Sequence, residues 1–422
     1  MGEEEIQVTR RFPLFDSLRA IAALGVLVTH AAFISGAVFG ARYRAFLIHL
    51  NVGVTVFFLI SGFLLYRPYV AARRAGEKPT RLRDYAARRF TRIFPAYWLA
   101  LAVLAIVPGL YGITKGNWWA YYGLLQIYPI FDMSPDCVTQ VQSCGLVQTW
   151  SLAIELSFYA LLPLFAFVMA RITAGRSRRT WLLGEAAVLA GLGGLSLFLQ
   201  VFTITGPSRF MWMHATILSH FAWFALGMGL AVASVALSGH EERSAVARVV
   251  TRWPSIPWLG ALGLFVFVSL WLPRTASPLD FTTAELIVQH LAFGVLGLLL
   301  LLPAVFGDDR GGLPRRIMAH PVLLWLGRIS YGIFLWHLII AFELADHGAL
   351  DLPGSRFVNL TLLTLVVTSA VAAASYYLVE RPLMRLTHRR KRMKRGAEAD
   401  PVEVTSDTVP DIAVQPAGAA PH

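Results

Sequence analysis

The chain has 422 residues, of which 56% are hydrophobic and 15% charged, and its mean hydropathy is +0.59. A water-soluble domain needs more polar surface than that, so the composition excludes a soluble globular protein and points to an all-helical, polytopic membrane protein. The net charge of +12 falls in short clusters between apolar runs, which excludes a nucleic-acid-binding face and leaves membrane topology as its use.

Apolar runs long enough to cross a bilayer number about ten, at 15–37, 47–66, 94–113, 149–170, 181–204, 214–238, 256–273, 285–306, 321–344 and 358–380. Basic clusters at Arg67 to Arg92, Arg171 to Arg179, Arg243 to Arg252, Arg310 to Arg316 and Arg381 to Arg395 flank one side of this series. The positive-inside rule then places both termini in the cytoplasm of a plasma-membrane protein. Arg10 and Arg11 precede the first run and no small-residue cleavage site follows it, so it reads as an uncleaved first helix.

Arg19 and His30 both lie in that first run, with ten residues between them. Eleven helical steps return His30 to within about 20° of Arg19, roughly 16 Å further along, so the two share a face. Cationic and imidazole side chains are costly in lipid and are expected to look into a protein interior or a wet cavity. Asp16, three residues before Arg19, is placed to orient it through an ion pair or to form a structural pair at the helix entrance. In the second run Ser61 and Gly62 interrupt the apolar pattern; small residues there suit either close helix packing or a narrow passage. Arg88, Arg89 and Arg92 group at the mouth of the third run, as membrane anchors or as guanidinium forks for phosphate.

The outer loop from Thr114 to Gln148 holds Cys137 and Cys144, the two cysteines of the chain. On this topology they face an oxidising compartment and are expected to form a disulfide, with two free thiols as the alternative. No zinc spacing accompanies them, so no metal is expected. Trp118, Trp119, Tyr121, Tyr122 and Tyr128 in the same loop suit an interfacial segment. Glu155 in the fourth run follows Trp150 and Ser151 and precedes Tyr159. A carboxylate at that depth is expected to hold a substrate, orient His30, or pair with an arginine. Ser330 and His337 share a face of the ninth run, flanked by Tyr331, and read as polar lining or packing contacts. Glu380 and Arg381 close the tenth run as a structural ion pair. Residues 1–385 form one transmembrane domain; residues 386–422 turn basic, then acidic and rich in Pro and Ala, and are expected to be a disordered cytoplasmic tail whose basic part lies on anionic membrane lipids.

Six segments, FDSLRAIAALGVLVTH, FFLISGFLL, RRFTRIFPAYW, WSLAIELSFY, LGRISYGIFLWH and SYYLVERP, occur in this order along the membrane portion. Together they resemble the integral membrane acyltransferases of acyltransferase family 3. That resemblance implies an enzyme moving an acyl group, most often acetyl from acetyl-CoA, to a hydroxyl of a sugar, cell-envelope glycan, glycolipid or glycosylated compound. It makes acyl-CoA a co-substrate with no bound cofactor, and a saccharide-containing acceptor the other partner. It casts His30, a neutral imidazole in an apolar span, as general base or as direct nucleophile on the thioester, with Glu155 as its catalytic companion. Asp16, Arg19, Ser61, Gly62, Arg88, Arg89 and Arg92 become the acyl-CoA site. A transporter or flippase for a lipid-linked or small polar solute is the rival reading of the same buried polar residues. The acceptor, the acyl length and the oligomeric state stay open.

Overall fold

The computed structural model describes residues 12–40, 43–106, 118–128, 146–207, 213–240, 244–271, 282–307 and 311–386. Arg10, Arg11, Cys137, Cys144 and residues 387–422 of the tail lie outside the described residues, and the disulfide and tail expectations with them. Among the described residues the fold is helical throughout, with no strand. The long helices are α1 (Leu14–Ile34), α2 (Val52–Arg74), α3 (Leu82–Ile106), α4 (Trp150–Thr173) and α5 (Arg178–Thr205), then α6 (Ile217–Leu237), α7 (Ser255–Trp271), α8 (Thr283–Val305), α9 (Pro321–Leu344) and α10 (Arg356–Ser375). Among the described residues nine spans are long and apolar enough to cross a membrane as they stand; a tenth exists there only when α7 is joined to the short helix Ala245–Arg252, at a bend of 93°.

One expected boundary shifts, and one expected span is bent at its start, each for a physical reason. Helix α3 begins at Leu82 rather than near 94, because Tyr85, Ile93, Ala96 and Tyr97 bury one stripe of an otherwise polar segment, and hydropathy alone does not register a helix with one apolar stripe. The three arginines therefore sit on the helix itself. The bend before α7 falls at Trp253 (φ −130°, ψ 68°), the residue before Pro254, where proline disfavours helical backbone.

Helices pack by direct backbone approach where side chains are absent. A Cβ at Gly53 would collide with the Ala22 carbonyl, one at Gly62 with the Phe224 carbonyl, and one at Gly327 with the Asp16 carbonyl. These crossings seat α1 against both α2 and α9, and α2 against α6, in the close packing that small residues allow within membranes. That places the first and ninth spans, far apart in sequence, side by side.

The basic ends of the helices are tied down by arginines. Arg74 donates to the Val235 carbonyl and Arg178 to the Ala236 carbonyl, at the end of α6. Arg73 pairs with the fully buried Glu185, which also accepts from Tyr66 Oη at 2.5 Å. Arg315, 1% exposed, donates to the carbonyls of Pro303 (3.1 Å), Phe306 (2.6 Å), Val250 (3.1 Å) and Thr251 (3.4 Å). A helix ends with unsatisfied carbonyls and partial negative charge, so a guanidinium there serves as both donor and counter-charge. Beyond α10 the π turn Tyr376–Glu380 carries Glu380 inward, 3.4 Å from Ser375 Oγ, while Arg381 lies over the Tyr377 ring at 5.4 Å. The expected pairing of these two neighbours gives way to separate contacts on either side of the helix.

Candidate active site

The α1 to α9 contact brings His30 and His337 together. His30 Nδ1 lies 2.9 Å from His337 Nε2, and His337 is fully buried. The other nitrogen of His337, Nδ1, lies 2.8 Å from the Phe334 carbonyl and 3.1 Å from the Ile333 carbonyl. Carbonyl oxygens only accept, so the network assigns the proton of His337 to Nδ1 and leaves a lone pair on Nε2. With both rings neutral, as an apolar span favours, His30 must then donate from Nδ1, and its own Nε2 carries a lone pair. The sequence placed His337 as lining or packing; the structure makes it the hydrogen-bond partner of His30.

A cavity of about 440 Å³ lies near this pair without reaching it: its lining includes Phe334, whose ring centroid is 5.9 Å from that of His337. One end is polar: Asp16, Arg19, Arg89, Arg92 and Arg328 line it, and Arg19 Nη1 is held by Asp16 Oδ1 at 3.0 Å. Its middle carries Ser61, Glu155, Tyr159, Ser330 and Tyr331. Glu155 accepts from Ser61 Oγ and from Tyr159 Oη at 2.6 Å, and the Arg89 guanidinium lies 5.7 Å from the Tyr159 ring centroid. Tyr331 Oη is committed to the Ile93 carbonyl at 2.8 Å and Ser330 Oγ to the Gly327 carbonyl at 2.8 Å. The far end is apolar and aromatic. From Leu65 to Val54 on α2, both lining residues, the cavity runs about 16 Å along the helix.

Of the residues expected to bind acyl-CoA, Asp16, Arg19, Ser61, Arg89 and Arg92 line this cavity together. Gly62 does not; it is a helix crossing, where a side chain would meet the Phe224 backbone. Arg88 is not among the residues that line the cavity. Glu155 belongs to the Ser61 and Tyr159 cluster, and it is His337 that bonds the His30 ring. Arg328 has no signal in the sequence: a lone arginine seven residues into a helix gives no periodicity, and only the fold brings it to the same cavity as three other guanidinium groups. No group of three or more potential metal ligands occurs among the described residues.

A family model described as an acyltransferase domain matches residues 13–379. Among curated relatives, Nodulation protein 10 of Rhizobium leguminosarum bv. viciae is 26% identical over 395 residues, covering 88% of this chain and 93% of that protein. Peptidoglycan O-acetyltransferase OatA of Listeria monocytogenes is 26% identical over 394 residues, covering 88% of this chain and 55% of that protein. O-acetyltransferase OatA of Staphylococcus aureus is 24% identical over 400 residues, covering 90% and 58%. The chain thus spans just over half the length of the two OatA proteins. No solved structure matches it.

Proposed function

This chain belongs to the acyltransferase family, and from that membership and the cavity's geometry we propose that it is a plasma-membrane O-acyltransferase moving a short acyl group, acetyl above all, from cytoplasmic acyl-CoA to a hydroxyl of a saccharide-containing acceptor. The acceptor is a cell-envelope glycan, a glycolipid or a glycosylated compound, a class supported by the relatives named as peptidoglycan or other O-acetyltransferases. The observation that carries the reading is the His30–His337 pair, separated from an arginine-lined cavity by the Phe334 ring.

Each part of the site has a chemical task in this reading. The phosphates of CoA meet Arg19, Arg89, Arg92 and Arg328, whose planar forks suit oxyanions. The elongated cavity receives the pantetheine arm. His30 Nε2 takes the proton of the acceptor hydroxyl as its oxygen attacks the thioester carbonyl; the carbon–sulfur bond breaks, and the CoA thiolate takes that proton back from His30. His337 fixes the tautomer of His30 and accepts from its Nδ1–H while the ring is cationic, the orienting role a third group plays in other nucleophile–base systems. Both termini are cytoplasmic in this account, as the positive-inside pattern requires.

The test is thiol release from acetyl-CoA by the purified protein in detergent, with and without an acceptor extract. Acceptor-dependent release supports the reading. A protein that binds acceptor but never consumes a thioester is a transporter or flippase, and the reading falls.

A further inference from the structure

The donor cavity stops short of the imidazole pair. At its apolar end it is lined by Val54, Phe57, Phe58, Leu152 and Phe334, whereas neither His30 nor His337 borders it. The Phe57 and Phe334 rings meet edge to face at 6.2 Å, and the Phe334 ring is 5.9 Å from the His337 ring. Phe334 therefore touches the cavity on one side and the imidazole pair on the other. Its place is set by the helix that carries both, since three residues on α9 amount to about 4.5 Å of rise and about 300° of turn.

The Phe58 side of this apolar end is closed. Phe58 stacks on Phe224 at 4.6 Å, and Phe224 stacks on Phe158 at 4.2 Å. Phe224 is itself pinned, because its backbone is the surface against which Gly62 packs. A thioester whose carbonyl is to react with a hydroxyl at His30 must bring that carbon up to the Phe57 and Phe334 edges. The remaining acyl carbons then have only this aromatic end in which to lie, and a close-packed wall does not accept added methylene groups without displacing side chains.

We propose that Phe57 and Phe334 form the acyl-size filter of the donor site, admitting a two-carbon acyl group and excluding long chains. This rests on the reading of the cavity as the acyl-CoA site. Chain-length selectivity is then a property of two ring edges, not of the arginine end. Phe334 contributes more, because it alone of the two also borders His337.

The experiment compares acetyl-, butyryl-, hexanoyl- and octanoyl-CoA with full-length wild type, Phe57→Ala, Phe334→Ala and Phe334→Leu, reading kcat/KM from thiol release. Wild type should favour acetyl-CoA. Phe334→Ala should raise the hexanoyl to acetyl ratio of kcat/KM at least tenfold, with a smaller rise for Phe57→Ala. An unchanged ratio in both alanine variants overturns the filter, as does a wild type that uses hexanoyl-CoA as readily as acetyl-CoA. Loss of transfer with every donor in Phe334→Leu as well as Phe334→Ala also overturns it, by assigning the ring to the support of His337. Should wild type release no thiol from any acyl-CoA, the donor reading itself fails and the filter goes with it.

Discussion

His30 has its hydrogen-bond partner 307 positions further along the chain. If Nε2 is the base, His30→Ala removes the proton acceptor, and turnover should fall by about 10²–10⁴-fold while the protein still folds and elutes as wild type does. Near-normal thiol release by purified His30→Ala would end that assignment. His337→Phe should lower kcat with little change in KM for acyl-CoA, because it releases the tautomer and orientation of His30 and touches no substrate. Arg19→Ala, and Arg89→Ala combined with Arg92→Ala, should instead act chiefly on KM for acyl-CoA, rising further in high salt as the remaining charges are screened. Donor affinity unaltered in these variants, measured by calorimetry in detergent, would reduce the arginines to membrane anchors. The shared face of Arg19 and His30 was legible from their spacing alone, since a single helix fixes both. The His30–His337 bond was not, because periodicity gives the face a residue occupies and never the partner helix that the face meets.

At the scale of elements, hydropathy marked the number of spans well and their shape poorly. Apolar length is what a scan measures, whereas the 93° bend before α7 is a matter of two residues, Trp253 and Pro254. What holds that bend is Arg315, whose four carbonyl acceptors belong to the end of α8 and to the short helix before α7. Removing it strands several buried carbonyls at about 1–3 kcal/mol each. Arg315→Ala should therefore lower Tm in detergent markedly, yet leave kcat per folded molecule near wild type, since Arg315 does not border the arginine-lined cavity. Thermal denaturation followed by tryptophan fluorescence checks the first part and thiol release the second; an unshifted Tm would show that the carbonyls find other donors. In the sequence this arginine read as one of a topology cluster, and its charge is indeed at a basic end. Its burial was invisible, because positive-inside counting treats every loop arginine alike.

Across the whole molecule, the family resemblance carried by six segments is matched by an acyltransferase model over residues 13–379, so the architecture was legible at its broadest scale. The proposed sidedness has its own readout. Acyl-CoA added to sealed inside-out vesicles should be consumed, and in right-side-out vesicles only after permeabilisation; use from the outer face alone would reverse the topology. A last consequence comes from Gly327. Helices α1 and α9 touch backbone to backbone where Gly327 meets the Asp16 carbonyl, and the imidazole pair stands ten residues further along α9, about 15 Å away. From that joint the two helices stay packed through Ala23, Leu27, Ile329 and Ile333 up to the imidazole pair, so a displacement at the joint is carried along the seam. Forcing one methyl group into the joint, as Gly327→Ala would, should move the two rings apart, and a hydrogen bond of 2.9 Å has no slack to take up the difference. A residue that bears no side chain and touches no substrate would then govern whether the proton acceptor is held in place at all.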